Sequence, residues 1–469
     1  MARTPSPTIA RAPAGGRGSP NRRVRRWLSG ELRDLRPAIA RGTARCRADR
    51  YRKHFTAFAH ACLLLFHGLG ATASLRQSYA AFGLCTGLVA LSGLGVAPAA
   101  PAAPAAPAAP AAPAAPAGDD EERLGVSYSQ FAASNSSRPA LFLSEVVPAL
   151  LRRLRQLGGA GDLPYPLELC LLDSTFVRLG AELAGRWLPA ALPHEKRGVL
   201  IQVQYRPALD LPDHVVVLPT PTNDCLGLDA AVLDDADRLT DLAGQTLVFD
   251  LGYYSHRRFQ RLRAAGVHWV VPLKAQAQAT TDAVRPVQPA FPGWAPARIT
   301  VLADRRVTLG SANNRAGAVL AGVRVVTAEV LPQPAADRRG APPQRYTLLT
   351  DRWDLAAADV VQLYLWRWQI ELFFKWLKQH LHLDRLLGYS ANAVHLSVWL
   401  ALILHLLVTL AARAAGLARR TPTLLARLRL LLPLLTPADL LDPPTLPHQL
   451  PLPFLFPDPA PPATPPPPT

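Results

Sequence analysis

Residues 246–273 read TLVFDLGYYSHRRFQRLRAAGVHWVVPL. An apolar run, Thr246–Phe249, stops at Asp250. The apolar spacing then lengthens to a helical period between Arg257 and Ala265, and a second apolar run, His268–Leu273, follows. Short apolar runs of this length form strands, whereas a 3.6-residue period forms a helix packed on them. Strand, helix and strand in direct succession predict an α/β core. Upstream, further strands are expected at Leu167–Leu172, Val199–Tyr205 and Val215–Leu218. Downstream, Arg298–Leu302, Val323–Val330 and Arg345–Thr350 lie among loops rich in Ala, Pro and Arg without a strong helix, so 275–350 reads as a β-rich insertion. Helical spacing returns from Leu355 to about Leu432, and 433–469 forms a proline-rich tail.

Ahead of the α/β region the pattern is different. Residues 1–30 are basic and poor in apolar periodicity, which reads as a disordered tail able to brush nucleic acid nonspecifically. From 31 to 160 the spacing is helical, broken at 97–117 by an almost perfect Pro-Ala-Ala repeat. A proline at every third position removes backbone donors, so this stretch is a semi-rigid spacer and cannot be core. The chain has 469 residues, of which 49% are apolar, ample for a substantial core.

Charge narrows the class of partner. Lys plus Arg number 51 against 34 Asp plus Glu, a net +17, which favours a polyanion and makes nucleic acid the first candidate. Only Lys53, Lys196, Lys274, Lys375 and Lys378 are lysines, so part of the arginine surplus reflects a GC-rich coding bias. Cys46, Cys62, Cys85, Cys170 and Cys225 show no CxxC or Cys/His spacing and read as buried thiols of a reducing compartment. No secretory signal pattern is evident, and a cytoplasmic protein is expected. The apolar runs 56–70 and 396–415 invite a membrane reading. The first is too short, and the second carries His405 and Arg413, so buried helices are expected and no membrane partner.

Two carboxylates stand where strands are expected to end: Asp173 after LELCLL and Asp250 after TLVF. Singly, each is as ordinary as any turn or cap residue. The third element is YLWRWQIELFFKWLK, residues 364–378. At about 100° per residue, Arg367, Glu371, Lys375 and Lys378 fall within about 60° of Tyr364, a narrow polar stripe on an otherwise apolar surface. Such a stripe is costly unless its members meet a metal, a phosphate or one another. An amphipathic helix with an ordinary Arg367–Glu371 pair at i,i+4 remains the plain alternative.

Together these residues carry a resemblance. Asp173 in LLDSTFVRL, Asp250 in FDLGYYSHRRFQRLRAAGVHWVVPLK, and the Tyr-x2-Arg-x3-Glu-x6-Lys run at 364–378 resemble the motifs of DDE transposases of the IS-four insertion-sequence family, from about Leu167 to about Leu410. The stretch KHFTAFAHACLLLFHGLGATASLR resembles more loosely the helical domain ahead of that core in one branch of the family. The resemblance implies a ribonuclease-H-like (RNase-H-like) catalytic core in two parts, 161–274 and 351–432, around the β-rich insertion, preceded by a helical DNA-binding domain at 31–160. It implies that Asp173, Asp250 and Glu371 bind two Mg²⁺ or Mn²⁺ ions, since phosphoryl transfer calls for hard oxygen ligands. It also implies that Tyr364, Arg367 and Lys378, with Lys375 beside them, hold DNA phosphates, fixing register without reading sequence.

The implied partner is double-stranded DNA, both transposon terminal inverted repeats and target, engaged by a homodimer in the bacterial cytoplasm and nucleoid. Some relatives cap an extruded base with tryptophan. Trp366 and Trp368 are near, with core packing the expectation, Trp366 falling on the apolar side. Tyr253, Tyr254, Ser255 and His256 form the loop after Asp250, and His60, His67, His380, His382 and His405 lack any ligand framework. The sequence departs from the family at Leu251, where many relatives have Arg, and at the Pro-Ala-Ala repeat, which threatens recognition of the terminal repeats. A catalytically inactive DNA-binding relic, and a nuclease of the same core that cuts without joining, therefore stand beside the cut-and-paste transposase.

Overall fold

In a computed structural model, the structure describes residues 20–50, 54–70, 74–95, 124–157, 165–166, 168–179, 198–219, 223–287, 298–310, 319–332, 342–381, 383, 386–414 and 421–441. The Pro-Ala-Ala repeat, residues 1–19 and the tail beyond 441 lie outside them.

Among the described residues, nine strands form one sheet: β1 (Leu169–Arg178), β2 (Gly198–Arg206), β3 (Leu211–Pro219), β4 (Thr246–Val248), β5 (His268–Pro272), β6 (Ala279–Val284), β7 (Ile299–Leu309), β8 (Leu320–Val330) and β9 (Gln344–Thr350), in the order β3-β2-β1-β4-β5-β9-β8-β7-β6. β1, β4 and β5 run parallel, and all other pairings are antiparallel. The mixed α/β class expected from the sequence is therefore present. The strands of the β-rich region do not form a separate lobe. They continue the same sheet, because β9 pairs with β5.

The run Leu169–Leu172 is unbroken because β1 is covered on both faces. Leu169 and Leu171 belong to one core, Cys170 and Leu172 to the other, and all four are fully buried. β1 then continues past the expected strand end to Arg178, so Asp173 lies mid-strand, paired with Val203, and not at a terminus. The exposed edge strand β6 carries no apolar alternation and is invisible to a periodicity argument.

The helices are α1 (Pro20–Asp34), α2 (Arg36–Cys46), α3 (Ala57–Leu69), α4 (Leu75–Gly83), α5 (Thr86–Ser92), α6 (Tyr128–Ser137), α7 (Val146–Gln156), α8 (Asp224–Leu228), α9 (Ala236–Asp241), α10 (His256–Ala264), α11 (Ala357–Leu365), α12 (Trp368–His380), α13 (Ala391–Ala414), α14 (Thr421–Leu431) and α15 (Ala438–Leu441). The basic tail thus turns helical at Pro20, eleven residues earlier than the boundary at 31, because Trp27, Leu28, Leu32 and Leu35 find apolar cover. Ser29 donates to the Asp439 carbonyl at 2.8 Å and Arg25 to the Asp439 carboxylate at 3.2 Å, tying α1 to α15.

α13 explains the second apolar run. It is long and apolar enough to cross a membrane, yet 89% of its most apolar window is buried inside the fold, against α3, α6, α7 and α14. Asn392 at its start binds the N-terminal helices, donating to the Asn135 and Arg138 carbonyls at 2.8 and 2.7 Å while accepting from Ala140 N at 2.8 Å. Arg138, fully buried, in turn holds the Phe55 and Thr56 carbonyls. The helices before and after the sheet consequently share one core on one of its faces.

A buried ion pair joins the insertion strands to the helix that follows. Arg324 on β8 donates to both Asp304 oxygens on β7 at 2.9 and 2.7 Å, and its remaining nitrogen reaches the Arg352 and Leu355 carbonyls just before α11. Both side chains are at most 2% exposed, a geometry in which losing one partner costs about 3–5 kcal/mol.

His405, in the middle of α13 and edge-on to Phe373 at 5.0 Å, has its pKa lowered from 6.5 to about 4 by burial and, secondarily, by the charge of Arg413. Protonation then favours the unfolded chain: the His405 contribution is constant above about pH 6.5 and turns destabilising as the pH falls from 6.5 to 4. In urea unfolding at pH 7.5 and 4.5, His405→Leu is expected to lose about 2–3 kcal/mol less than wild type over that interval. Identical losses would show that His405 is not held neutral.

Candidate active site

Asp173 projects from β1 beside the end of β4. Its Oδ1 accepts from Ser174 N at 2.8 Å, and Gln202 on β2 donates to its main-chain carbonyl at 3.1 Å. Burial pushes its pKa up to about 7, the charges of Asp250 and Asp224 add to the rise, and the Ser174 amide and Arg367 oppose it. Asp250 follows β4 by two residues, as expected of a strand-end acid, and caps a short 3₁₀ turn by accepting from Gly252 N at 2.8 Å.

Glu371 arrives from the other side. Residues 364–378 are not one helix: α11 ends at Leu365 and α12 begins at Trp368. The junction is tightened, with Arg367 N bonded to the Tyr364 carbonyl and Ile370 N to the Arg367 carbonyl. The polar stripe survives the break. Arg367 donates to Glu371 Oε1 at 2.6 Å, lies 3.5 Å from Asp173 Oδ2, and sits over the Tyr364 ring at 5.7 Å from its centre. Arg367 therefore links the helix carboxylate to the strand carboxylate, more than a plain i,i+4 surface pair would do. Lys378 is half-buried farther along α12, and Lys375 is exposed. Neither has a contact with the carboxylates.

Other residues sort themselves by burial. Trp366 is buried against Tyr165, ring centres 5.2 Å apart, in the core role expected of it. Trp368 is 57% exposed beside Arg367, outside the core that was expected to hold it. Tyr253 is fully buried and bonded to Gln202, so it lies beneath the site, while Tyr254 contacts His256 at 3.1 Å and carries Lys274 over its ring at 5.0 Å. His60 pairs with Asn135 and His67 with Ser78, both as structural side chains. Among the described residues, no three His, Cys, Asp or Glu groups are drawn together as a ready-made metal cage.

One participant escaped the sequence reading. Asp224, at the start of α8, brings a fourth carboxylate to the site and accepts from the Ser174 hydroxyl at 2.7 Å. Burial raises its pKa, the Ser174 bond lowers it, and the Asp250 charge raises it further. Its only signal is the dipeptide Asn223-Asp224, which reads as an ordinary helix cap; Asn223 does cap α8, accepting from Leu226 N.

The profile of the family described as Transposase DDE domain matches residues 164–407, just over half of the chain. The chain belongs to the DDE transposase family. The match runs from just before β1 into α13 and contains all four carboxylates, Tyr364, Arg367 and both lysines. This DDE transposase is 29% identical over 284 residues to a protein of Sinorhizobium fredii named as a candidate transposase, y4zB, spanning 60% of the chain and 70% of that protein. It is 27% identical over 250 residues to one of Geobacillus stearothermophilus named as a candidate transposase for insertion sequence element IS5377, spanning 53% of the chain and 57% of that protein. A shorter match, 39% over 51 residues, covers 15% of a Synechocystis protein named as a candidate transposase for insertion sequence element IS4SA.

The Arg367 geometry yields a quantitative expectation. In a double-mutant cycle of Arg367→Gln and Glu371→Gln, read by urea unfolding without divalent ions, the coupling should exceed about 1 kcal/mol, against about 0.3–0.5 for an exposed helical pair. A coupling within the exposed range would return this pair to the plain amphipathic reading.

Proposed function

We propose that this DDE transposase is the cut-and-paste enzyme of an insertion sequence of the IS-four kind, cleaving the ends of its element and joining them to target DNA. The observation that carries the reading is that Arg367 bridges Asp173 on a strand and Glu371 on a helix far apart in sequence, while Asp250, after the neighbouring parallel strand, lies close enough for its charge to act on Asp173. The order β3-β2-β1-β4-β5, with β1, β4 and β5 parallel, supports an RNase-H-like core. β6 to β9 fill the place of the insertion between the second Asp and the Glu.

The donor set fits Mg²⁺ or Mn²⁺. All the donors are hard carboxylate oxygens; burial raises the Asp173 pKa, the charges of Asp250 and Asp224 add to the rise, and Arg367 is the one cation that opposes it, a local shortage of positive charge that a divalent ion would fill. Two such ions, held by Asp173, Asp250 and Glu371, would supply Lewis acidity at the attacking and departing oxygens of phosphoryl transfer. The protein's own part is positional. Arg367 can exchange its carboxylate partners for a DNA phosphate, Tyr364 stacks beneath it to fix its plane, and Lys378 and Lys375 continue the cationic line along α12. Water attacks phosphorus at the transposon end and the cleaved strand leaves as a 3′-hydroxyl. That hydroxyl then attacks a target phosphate, releasing a target 3′-hydroxyl in turn. Trp368 offers an open aromatic face to a base that has left its stack. A homodimer places one site on each end, and the surplus of 17 positive charges suits the DNA it must hold in the bacterial cytoplasm.

The test is cleavage of labelled DNA bearing the element's own inverted repeats, with Mg²⁺ or Mn²⁺. Nicking at the repeat boundary is expected, at least about 100-fold slower in Glu371→Gln, as loss of a metal ligand implies. Salt-sensitive binding with no cutting in either metal would select the inactive relic, and cutting without joining the plain nuclease. Trp368→Ala should slow the steps after the first nick by about 5- to 100-fold, the worth of one stacked base, while leaving that nick unchanged. An equal slowing of every step would remove the stacking role.

A further inference from the structure

Asp173 and Asp250 are aimed by the same local device. Each carboxylate accepts a hydrogen bond from a backbone amide just downstream, Ser174 N at 2.8 Å for Asp173 and Gly252 N at 2.8 Å for Asp250. Ser174 lies within β1 and Gly252 in the short turn after β4, and Asp224 touches both. Its Oδ1 accepts from the Ser174 hydroxyl at 2.7 Å. Its Oδ2 packs on the Cα of Gly252 so closely that a Cβ there would stand 2.3 Å from it. We propose that Asp224 is a positioning residue that locks these two backbone corners together, through the Ser174 hydroxyl and Gly252, and so fixes the separation of the Asp173 and Asp250 carboxylates.

The element carrying Asp224 is itself pinned. Asn223 caps α8 from the N-terminal side, and Gly227 lies against Gln202, where a Cβ would stand 2.4 Å from the side-chain oxygen. Gln202 is fully buried and donates both to the Asp173 carbonyl at 3.1 Å and to the Tyr253 hydroxyl at 2.7 Å. α8 therefore rests on the same side chain that braces the main chain of Asp173 and the turn after Asp250. A carboxylate serves here because it offers two oxygens, one to each corner, on a short stem. The side chain of Asn has the same shape and keeps an acceptor for Ser174, whereas Ala keeps neither contact. Glycine at 252 follows from the same packing, since any side chain would displace Asp224.

The inference rests on the proposed role of Asp173 and Asp250 in metal binding, so its test has one arm that needs no metal. Hydrogen exchange of the full chain without divalent ions, followed in peptides covering 169–178 and 249–255, should rise in Asp224→Ala and return to the wild-type rate in Asp224→Asn, with unchanged exchange in α13 as the control for folding. Unchanged exchange at both corners in Asp224→Ala overturns the proposal whatever the metal does. The second arm is Mn²⁺ affinity by calorimetry on the same proteins. A loss of about 10-fold or more is expected for Asp224→Ala and Gly252→Ala, with Asp224→Asn within about 3-fold of wild type. An equal loss in Asp224→Asn would overturn positioning in favour of direct ligation by the Asp224 charge. Unaltered Mn²⁺ binding in Asp173→Asn would defeat the metal reading, leaving the exchange arm to decide the role of Asp224.

Discussion

Burying Asp173 and Asp224 next to Asp250, with a single arginine to offset their charge, is the constraint around which the site's supports are arranged. Burial first, and neighbouring carboxylate charge after it, raise the pKa of Asp173 and Asp224, and Arg367 is the one cation bonded to Asp173 in the described residues. Holding such a group in place demands rigid supports, and the fold supplies them on every side. β1 is clamped by apolar cores on both faces, β4 and β5 run parallel beside it, and α12 is carried by a chain segment locked to the insertion strands through the buried Arg324–Asp304 pair. The stability of the surroundings offsets the cost of burying these carboxylates.

The same logic accounts for the placement of the β6–β9 region. Had it formed an independent lobe, the path from β5 to α11 would have been a pair of loose linkers. Instead β9 returns alongside β5, and Asp351, just after β9, accepts from Trp269 N on β5 at 3.1 Å. Among the described residues, β5 and the start of α11 are therefore joined through β9 and Asp351 by hydrogen bonds, and α12, which carries Glu371, follows α11 directly.

Much of this was legible in the residues. The two-faced burial of β1 shows as an unbroken apolar run, α10 as a change of period, and the Tyr364–Lys378 stripe as polar residues that a core helix would otherwise not tolerate. What stayed hidden had a physical reason in each case. Asp173 looked like a strand end because apolar residues stop at Leu172, yet β1 continues on hydrogen bonds with β2, which composition does not report. The break between α11 and α12 is made by tightened main-chain turns with no proline or glycine to announce it. Asp224 stands just inside a helix capped by Asn223, like any first-turn acid, and only tertiary contact distinguishes it. α1 begins before its apolar period is evident because part of its support, the Arg25 and Ser29 bonds to Asp439, comes from a residue more than 400 positions away.

That last contact bears on how the chain is made. The N-terminal helices pack partly on one another, but their shared core is completed only by α13 and residues 424–440, so it stays unfinished until those segments have emerged from the ribosome. Throughout synthesis of the whole sheet, the N-terminal helices remain a sticky, unfinished half-bundle, and long-range closures of this kind are slow and prone to association. Completion of the helical layer and delivery of Glu371 to the carboxylates are thus late events of one assembly step. A truncated product ending before α13 would have neither a finished core nor a supported site.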